Sequence, residues 1–339
     1  MTYCIHIQTY PPHFEYANNL INSINSFTNI KELNIPIFIV FDTQKEQEEF
    51  NKKYKYDNCK YINIKNIVDT NKINIEKYEK YEDLCNNTIN IKEWGSGYGS
   101  LSNNHAFHRI YTNVKRVYSI LELQRLSYKY IWCIDSESII LKNIDLKNVF
   151  DQKINLVIGN NLKSGFKCPQ IINDVFKFDY EEESEIFNID VRINDFWIID
   201  TYYFKEMIEF IIKTHNVPIS HIMLGSEMAL YEYYLFHLYL KGNEDINITK
   251  LDHSLENILN DINKYSTYNQ LNDYANQLNK TYFDKFPYYR GDWTKFVRNK
   301  NMGEYLLIRL NIQVLVSNAQ EIDRANTPLF INMNGELGR

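Results

Sequence analysis

Apolar residues along the chain fall into two patterns, short unbroken runs and longer stretches with helical spacing. Residues 35–41 (IPIFIVF) are almost entirely apolar, and the run is too short for an ordinary helix. Runs of this kind are typical of strands buried on both faces in a sheet that helices cover. Between residues 14 and 27 apolar side chains recur every three or four positions, which predicts an amphipathic helix. Residues 3–8 and 61–68 predict two further strands.

Strand and helix patterns continue to alternate after residue 100. The predicted strands lie at 130–134, 155–159 and 195–199, and the predicted helices at 102–128, 201–214 and 226–240. This alternation is typical of an α/β fold with a doubly wound sheet. Residues 241–285 are polar and Asn-rich, and we expect two short helices there. The expected organisation is an α/β domain at 1–240, with a mostly helical insertion and C-terminal extension at 241–339 packed on it.

Composition excludes several classes of protein. The chain has 37 basic and 43 acidic residues, and this net charge of −6 argues against nucleic acid as the main partner. The five cysteines are odd in number and widely spaced, with no CxxC, which argues against a disulfide framework or a structural zinc site. The sequence shows no signal-peptide pattern and no run of 18 apolar residues. We therefore expect a cytoplasmic protein without a membrane span.

Two carboxylates follow the apolar strand predicted at 130–134. Asp135 and Glu137 are separated by one residue, at the place where this strand ends. Ligands of open α/β sheets bind outside the carboxyl ends of the strands. Mg²⁺ and Mn²⁺ prefer oxygen ligands and are usually held by one or two carboxylates together with substrate phosphates. The pair predicts a site for Mn²⁺ or Mg²⁺; the alternative is a solvated turn or a helix N-cap.

The order of these elements resembles the GT-A fold of nucleotide-sugar glycosyltransferases. In that family a helix and an aromatic, apolar strand precede a DxD motif, as the helix at 114–126 and the strand at 130–134 precede Asp135 here. The second motif position is Glu137 instead of Asp. Residues 226–234 also look like a stretch of uncharacterised bacterial glycosyltransferase-like proteins. The resemblance implies a Rossmann-type central mixed sheet flanked by helices, and a UDP-sugar as the favoured donor.

The resemblance also implies a nucleotide site at the ends of the first two strands. Thr9 and Tyr10 follow the first strand, and Asp42 follows the second. In the GT-A fold these positions touch the base and the ribose, so that Tyr10 stacks on the nucleobase and Asp42 accepts from a ribose hydroxyl or a uracil N–H. Arg109 and Arg116, on the helix at 102–128, are candidates to contact the diphosphate. A packed tyrosine and a solvated helix face are the alternative interpretations.

Two further residues are assigned by the same resemblance. Glu227 opens the helix at 226–240 and would be the general base that deprotonates the acceptor hydroxyl, because burial beside aromatic residues can raise the pKa of a glutamate. Its alternative role is ordinary helix capping together with Ser226. His253 would be the third metal ligand, although a lone histidine is also a common structural residue.

The function expected is metal-dependent transfer of a sugar from a nucleoside-diphosphate sugar to a glycan or other hydroxyl acceptor, with inversion. If Glu227 is not the base, a retaining reaction is the alternative. One alternative is a nucleotidyltransferase. Against it, Pro11-Pro12-His13 stands after the first strand, where such enzymes have a glycine-rich basic loop. The other alternative is a non-catalytic carbohydrate- or nucleotide-binding protein, which the replacement of Asp by Glu137 favours. Calorimetry with nucleotide sugars distinguishes the three.

Overall fold

The computed structural model describes residues 2–70, 72–73, 81–83, 103–140, 142–151, 154–160, 189–193, 198–215, 227–251, 264–284, 288–292, 302, 305–306, 309–311, 313–317, 330–331 and 337–338. The chain divides into two compact units, each made of three segments. The first unit contains Met1–Pro11, Pro36–Cys133 and Lys153–Leu251, and the second contains Pro12–Ile35, Ile134–Gln152 and Asp252–Arg339. The domain boundary predicted after residue 240 stays a prediction.

The strands and helices of the described residues are as follows. The strands are β1 (Tyr3–Gln8), β2 (Ile37–Phe41), β3 (Cys59–Asn63), β4 (Tyr130–Asp135), β5 (Ile139–Ile140), β6 (Ile154–Asn160), β7 (Ile189–Ile193), β8 (Ile198–Asp200), β9 (Ile246–Leu251), β10 (Tyr288–Asp292), β11 (Gln313–Ser317), β12 (Phe330–Ile331) and β13 (Leu337–Gly338). The α-helices are α1 (Phe14–Phe27), α2 (Ile30–Leu33), α3 (Gln44–Lys53), α4 (Ile64–Asp69), α5 (Asn103–Arg125), α6 (Leu146–Asp151), α7 (Thr201–His215), α8 (Glu227–Leu240) and α9 (Tyr268–Leu278).

The first unit is built on a five-stranded sheet in the order β3-β2-β1-β4-β8. β1, β2 and β3 pair in parallel, whereas β8 runs antiparallel to β4. Every residue of β2 is buried, as its unbroken apolar run predicts, and α5 packs against both β1 and β2. A second sheet, in the order β7-β6-β9, packs against α8. The predicted α/β class, with a mixed central sheet flanked by helices, is confirmed.

The parallel register of β1 and β2 brings two predicted site residues to one edge of this sheet. Gln8 pairs with Val40, and the Thr9 amide donates to the Val40 carbonyl over 3.1 Å. Asp42 directly follows the last residue of β2. Because the two strands run in the same direction, Thr9 and Asp42 both lie where their strands end.

Two predicted elements differ from the structure. The strand predicted at 61–68 ends at Asn63, and α4 follows it at once. The buried residues of α4 are Ile64, Ile67 and Val68, and this i, i+3, i+4 spacing is that of a helix. In the region where two short helices are predicted, β9 is a strand that pairs in parallel with β6. Three residues of its sequence, INITKL, are β-branched (Ile246, Ile248 and Thr249), and such residues favour a strand.

In the second unit α1 packs against the short strand β5. β5 pairs antiparallel with β11, which in turn pairs in parallel with β10. The Asn29 side chain joins two of the unit's segments, because its amide donates to Asp145 over 2.9 Å and its oxygen accepts from the Leu146 amide over 2.9 Å. Among the helices of the described residues, none has both the length and the hydropathy that crossing a bilayer requires.

Candidate functional site

Lys115 of α5 connects the ends of β1 and β2. Its ammonium donates to the Thr9 carbonyl over 3.2 Å and to the Asp42 carboxylate over 3.0 Å. It also lies 5.6 Å from the centre of the Tyr10 ring, within the range of a cation–π contact. Lys115 is only 3% exposed. A buried lysine is normally paired, and this one contacts all three residues that the sequence assigns to the nucleoside.

The Asp42 carboxylate is held from several sides. Its Oδ1 atom accepts from the Tyr81 hydroxyl over 2.7 Å, and its Oδ2 atom accepts from the Lys115 ammonium. The Asp42 amide donates over 2.9 Å to the Glu46 carboxylate, which also accepts from the Thr43 amide in the capping box that opens α3. Burial, and next the nearby Asp42 carboxylate, raise the pKa of Glu46. Asp42 is therefore a fixed hydrogen-bond acceptor at the edge of the sheet.

The Thr9 hydroxyl has no hydrogen-bond partner among the described residues, although the residue is 1% exposed. Leaving a buried polar group unpaired costs about 1–3 kcal/mol. Most buried polar groups in native proteins are paired, so an exception calls for an explanation.

A second polar network joins β1, α5 and α8. Arg116 donates to the Glu227 carboxylate over 2.8 Å, and Glu227 is 1% exposed. With the Gln8 amide oriented so that both its ends are paired, its oxygen accepts from Arg116 over 2.9 Å and its nitrogen donates to the Thr112 carbonyl over 3.0 Å. Glu227 is thus a buried carboxylate bound to a guanidinium.

His6 forms a parallel connection two residues earlier on the same strand. Its Nε2 lies 2.7 Å from the Ser119 hydroxyl, which donates its proton to the Arg116 carbonyl over 3.0 Å. Because that hydroxyl has a single proton, His6 must be the donor in the first contact, which assigns the proton to Nε2. His6 and Gln8 project from the same face of β1, so both bind α5.

In the second unit the predicted metal ligands lie on a tight turn. The Ser138 amide donates to the Asp135 carbonyl over 3.0 Å, so residues 135–138 form a four-residue turn after β4. Asp135 and Glu137 are partly exposed, whereas Ser136 and Ser138 are buried. The His13 Nδ1 atom lies 3.3 Å from the Ser136 hydroxyl and 3.9 Å from Glu137.

The donor set of this turn fits a hard divalent cation. Two carboxylates on one turn match the one or two that Mg²⁺ usually takes beside substrate phosphates. In the part of the chain that the structure describes, no group of three or more His, Cys, Asp or Glu residues is arranged to hold a metal. His253, the predicted third ligand, lies outside the described residues. Arg109 lies on α5, and the structure does not describe its side chain.

A cleft of about 480 Å³ lies at the other end of the strands of the first sheet, where β1 and β4 begin. It is lined by Thr2, Ser127, Lys129, Asp200, Tyr202 and Tyr203. None of the residues predicted from the sequence lines it. Asp200 accepts from the amides of Tyr202 and Tyr203, so its carboxylate caps α7. Burial raises the pKa of Asp200, while the bonds from these amides and the nearby Lys129 lower it.

Several residues of these networks were not singled out from the sequence, among them Lys115, Tyr81, Gln8 and His13. Lys115 was visible only as one of several basic residues on a predicted helix. Gln8 carried a signal, because it is a polar residue at the end of an apolar strand. Tyr81 carried none, since tyrosine is common in this chain, with 27 copies.

No family model matches the chain, and the search of curated proteins found no match. Solved structures of glycosyltransferases are similar to it. Core-mannan synthase A from Aspergillus fumigatus, in its Mn/GDP form, is 12% identical with a TM-score of 0.39, covering 69% of this chain and 69% of that one. The mannosyltransferase Ktr4p from S. cerevisiae is 11% identical with a TM-score of 0.39, covering 69% and 65%. S. aureus TarS is 15% identical with a TM-score of 0.32, covering 82% of this chain but only 40% of that one.

Proposed function

We propose that the chain is a nucleotide-sugar glycosyltransferase whose first unit binds the nucleoside of the donor where β1 and β2 end. The observation that carries this proposal is the buried Lys115–Asp42 ion pair at these strand ends, beside a Thr9 hydroxyl that has no partner among the described residues. A nucleoside offers the hydroxyl and N–H groups that such a site lacks. The resemblance of the motifs to GT-A enzymes supports the same class of ligand.

Asp42 is suited to recognise the nucleoside because its position is already fixed. Lys115 and Tyr81 each occupy one of its oxygens. A carboxylate offers about four lone-pair sites, so it retains capacity for a ribose hydroxyl or a uracil N–H. The Tyr10 ring supplies a surface on which a base stacks, as aromatic side chains do for nucleobases. A UDP-sugar is therefore the donor we propose.

In the second unit Asp135 and Glu137 would hold Mn²⁺ or Mg²⁺. Such a cation offsets the negative charge that develops on a departing diphosphate. The two carboxylates, both on the turn at residues 135–138, would hold the cation from the protein side. The acceptor we propose is a glycan or another hydroxyl compound, and the reaction is a displacement at the anomeric carbon with inversion.

Calorimetry with a panel of UDP- and GDP-sugars, with and without Mn²⁺, tests this function. We expect one donor to bind more tightly with the cation and to be hydrolysed slowly when no acceptor is present. Turnover of a nucleoside triphosphate with a sugar phosphate would instead identify a nucleotidyltransferase. Binding without any turnover would identify a binding protein, and absence of nucleotide binding would refute the proposal.

Two variants separate the nucleoside site from the cation site. Asp42→Asn should weaken the binding of UMP about 10-fold or more, because a hydrogen bond to a charged group contributes about 1.5–3 kcal/mol. Asp135→Asn should abolish turnover and leave the binding of UMP, which has no diphosphate, unchanged. The matched control is Asp273→Asn, on an exposed face of α9, which should alter neither measurement.

A further inference from the structure

Glu227 and Arg116 are both predicted to contact substrate, yet their charged groups contact each other. The Glu227 side chain is 1% exposed and that of Arg116 is 12% exposed, and their charged atoms are 2.8 Å apart. A general base must come within hydrogen-bond distance of the proton that it removes. A guanidinium beside a carboxylate also stabilises its ionised form, which makes the carboxylate a weaker base.

The Arg116 guanidinium also binds a residue of β1 that is next to the proposed nucleoside site. The second terminal nitrogen of Arg116 donates to the Gln8 side chain over 2.9 Å, and Gln8 is the last residue of β1. Thr9 and Tyr10 are the next two residues. Two residues earlier on β1, His6 binds Ser119 of α5, and the Ser119 hydroxyl donates to the backbone carbonyl of Arg116. The guanidinium and the backbone of Arg116 are thus both tied to β1.

We infer that Glu227 and Arg116 are positioning residues, whose buried ion pair fixes Gln8 and through it the end of β1 that carries Thr9 and Tyr10. This inference rests on the proposed function, since the strand end is placed for a nucleotide. Glu227 orients Arg116, and Arg116 orients Gln8. The proton of the acceptor hydroxyl is then accepted by a group other than Glu227.

The two possible roles of Glu227 respond differently to substitution. Glu227→Gln removes the base but keeps an oxygen that accepts from Arg116. A base that is lost costs about 10²–10⁴-fold in kcat, whereas a positioning residue replaced by its amide should keep kcat within about 5-fold. The acidic limb of the pH–kcat profile should be that of the unmodified enzyme, because no titrating catalytic group has been removed.

Removing the positive charge of Arg116 tests its connection to β1 directly. Arg116→Met leaves the Glu227 carboxylate buried without its guanidinium and leaves Gln8 without its donor. Removing one partner of a buried pair is strongly destabilising, whereas replacing both with apolar residues is often neutral. We therefore expect Arg116→Met to lower the thermal midpoint and to raise KM for the donor about 10-fold. The double variant Arg116→Met/Glu227→Met should recover most of the thermal midpoint and keep a measurable kcat.

Hydrogen exchange gives a measure that needs no substrate. The Thr9 amide bonds the Val40 carbonyl, and its exchange rate reports how well the end of β1 is held. Arg116→Met should speed its exchange at least about 10-fold. The matched control is Lys213→Met, which removes the cation of an exposed pair with Glu209 on α7 and should leave this amide unchanged.

The outcomes distinguish this inference from the proposed function. A Glu227→Gln variant with kcat reduced 100-fold or more, unchanged KM and unchanged Thr9 exchange would overturn the inference and restore Glu227 as the base. Unchanged Thr9 exchange in Arg116→Met would overturn it as well, even in an active enzyme. If the unmodified protein binds no nucleotide, the proposed function fails, while faster exchange in Arg116→Met still supports the connection from Arg116 to β1.

Discussion

The Lys115–Asp42 ion pair should contribute substantially to the stability of the first unit where β1 and β2 end. Lys115→Met is the test, because methionine keeps most of the apolar stem and removes only the ammonium. Two unit charges 3.0 Å apart attract by about 5.5 kcal/mol at an effective dielectric constant of 20, and by about 1.4 kcal/mol at that of water. The Lys115 side chain is 4% exposed and that of Asp42 is 15% exposed, so the first value applies more closely.

The net effect must be smaller than this attraction, because burying the two charges has a cost of its own. Removing one partner of a buried pair typically destabilises a protein by about 3–5 kcal/mol. Since Asp42 keeps some contact with water and its bond from Tyr81, we expect the lower end of that range. The Thr9 carbonyl also loses a donor. The expected loss in the free energy of unfolding is about 3 kcal/mol.

Urea unfolding followed by circular dichroism measures this loss. Lys213→Met is the matched control, since Lys213 is 73% exposed and its pair with Glu209 should contribute less than about 1 kcal/mol. The double variant Lys115→Met/Asp42→Asn should recover at least about 1 kcal/mol relative to the sum of the single variants, because its two losses are not independent. A loss below 1 kcal/mol for Lys115→Met would refute the claim that the pair is effectively buried.

Three further predictions concern the first unit. Because burial raises the pKa of Asp200 above 3.8, the stability of the protein should fall as pH rises through that raised value. Asp200→Asn keeps the helix cap but should lack this decrease in unfolding experiments between pH 3 and 7. Burial, and next Lys241, lower the pKa of His237, so stability should fall as pH drops below about 6.5, and His237→Gln should flatten thermal midpoints over pH 7 to 5. Thr43→Ala removes the cap of α3 and should cost about 1 kcal/mol in urea unfolding, whereas Thr43→Ser should not.

Each of these predictions has a contrary result. An Asp200→Asn variant with the same pH slope as the unmodified protein would show that the carboxyl does not titrate differently on folding. Parallel thermal curves for His237→Gln would show the same for the imidazole. If Thr43→Ala and Thr43→Ser are equally destabilised, the hydroxyl is not what caps the helix.

The backbone of the first unit could be predicted where one pattern dominates. The run at 35–41 predicts β2 because no amphipathic alternative competes with it, and the structure buries all of that strand. The prediction is wrong after Asn63, because the apolar density there favours a strand whereas the spacing of Ile64, Ile67 and Val68 is helical. The strand β9 was missed because its pairing with β6, about 90 residues earlier, is a tertiary effect that a local pattern does not contain.

The site could be predicted only in outline. Thr9, Tyr10 and Asp42 are predicted as site residues from the resemblance to the GT-A fold, and Lys115 contacts all three. The partners of charged side chains depend on helix packing, and a helix that turns by about 100° per residue gives adjacent positions different neighbours. Lys115 therefore binds the strand ends while Arg116 binds Glu227, a distinction that the sequence does not express.

The pairing of β9 with β6 has a consequence for any attempt to shorten this chain. β9 begins six residues after α8 ends, and it supplies the edge of the sheet in which β6 is central. A fragment that stops at residue 240 would lack that edge and present the backbone amides and carbonyls of β6 to solvent, which is a template for self-association. Such a fragment would be prone to aggregate whatever its catalytic competence, whereas one that extends through Leu251 keeps the strand and its hydrogen bonds.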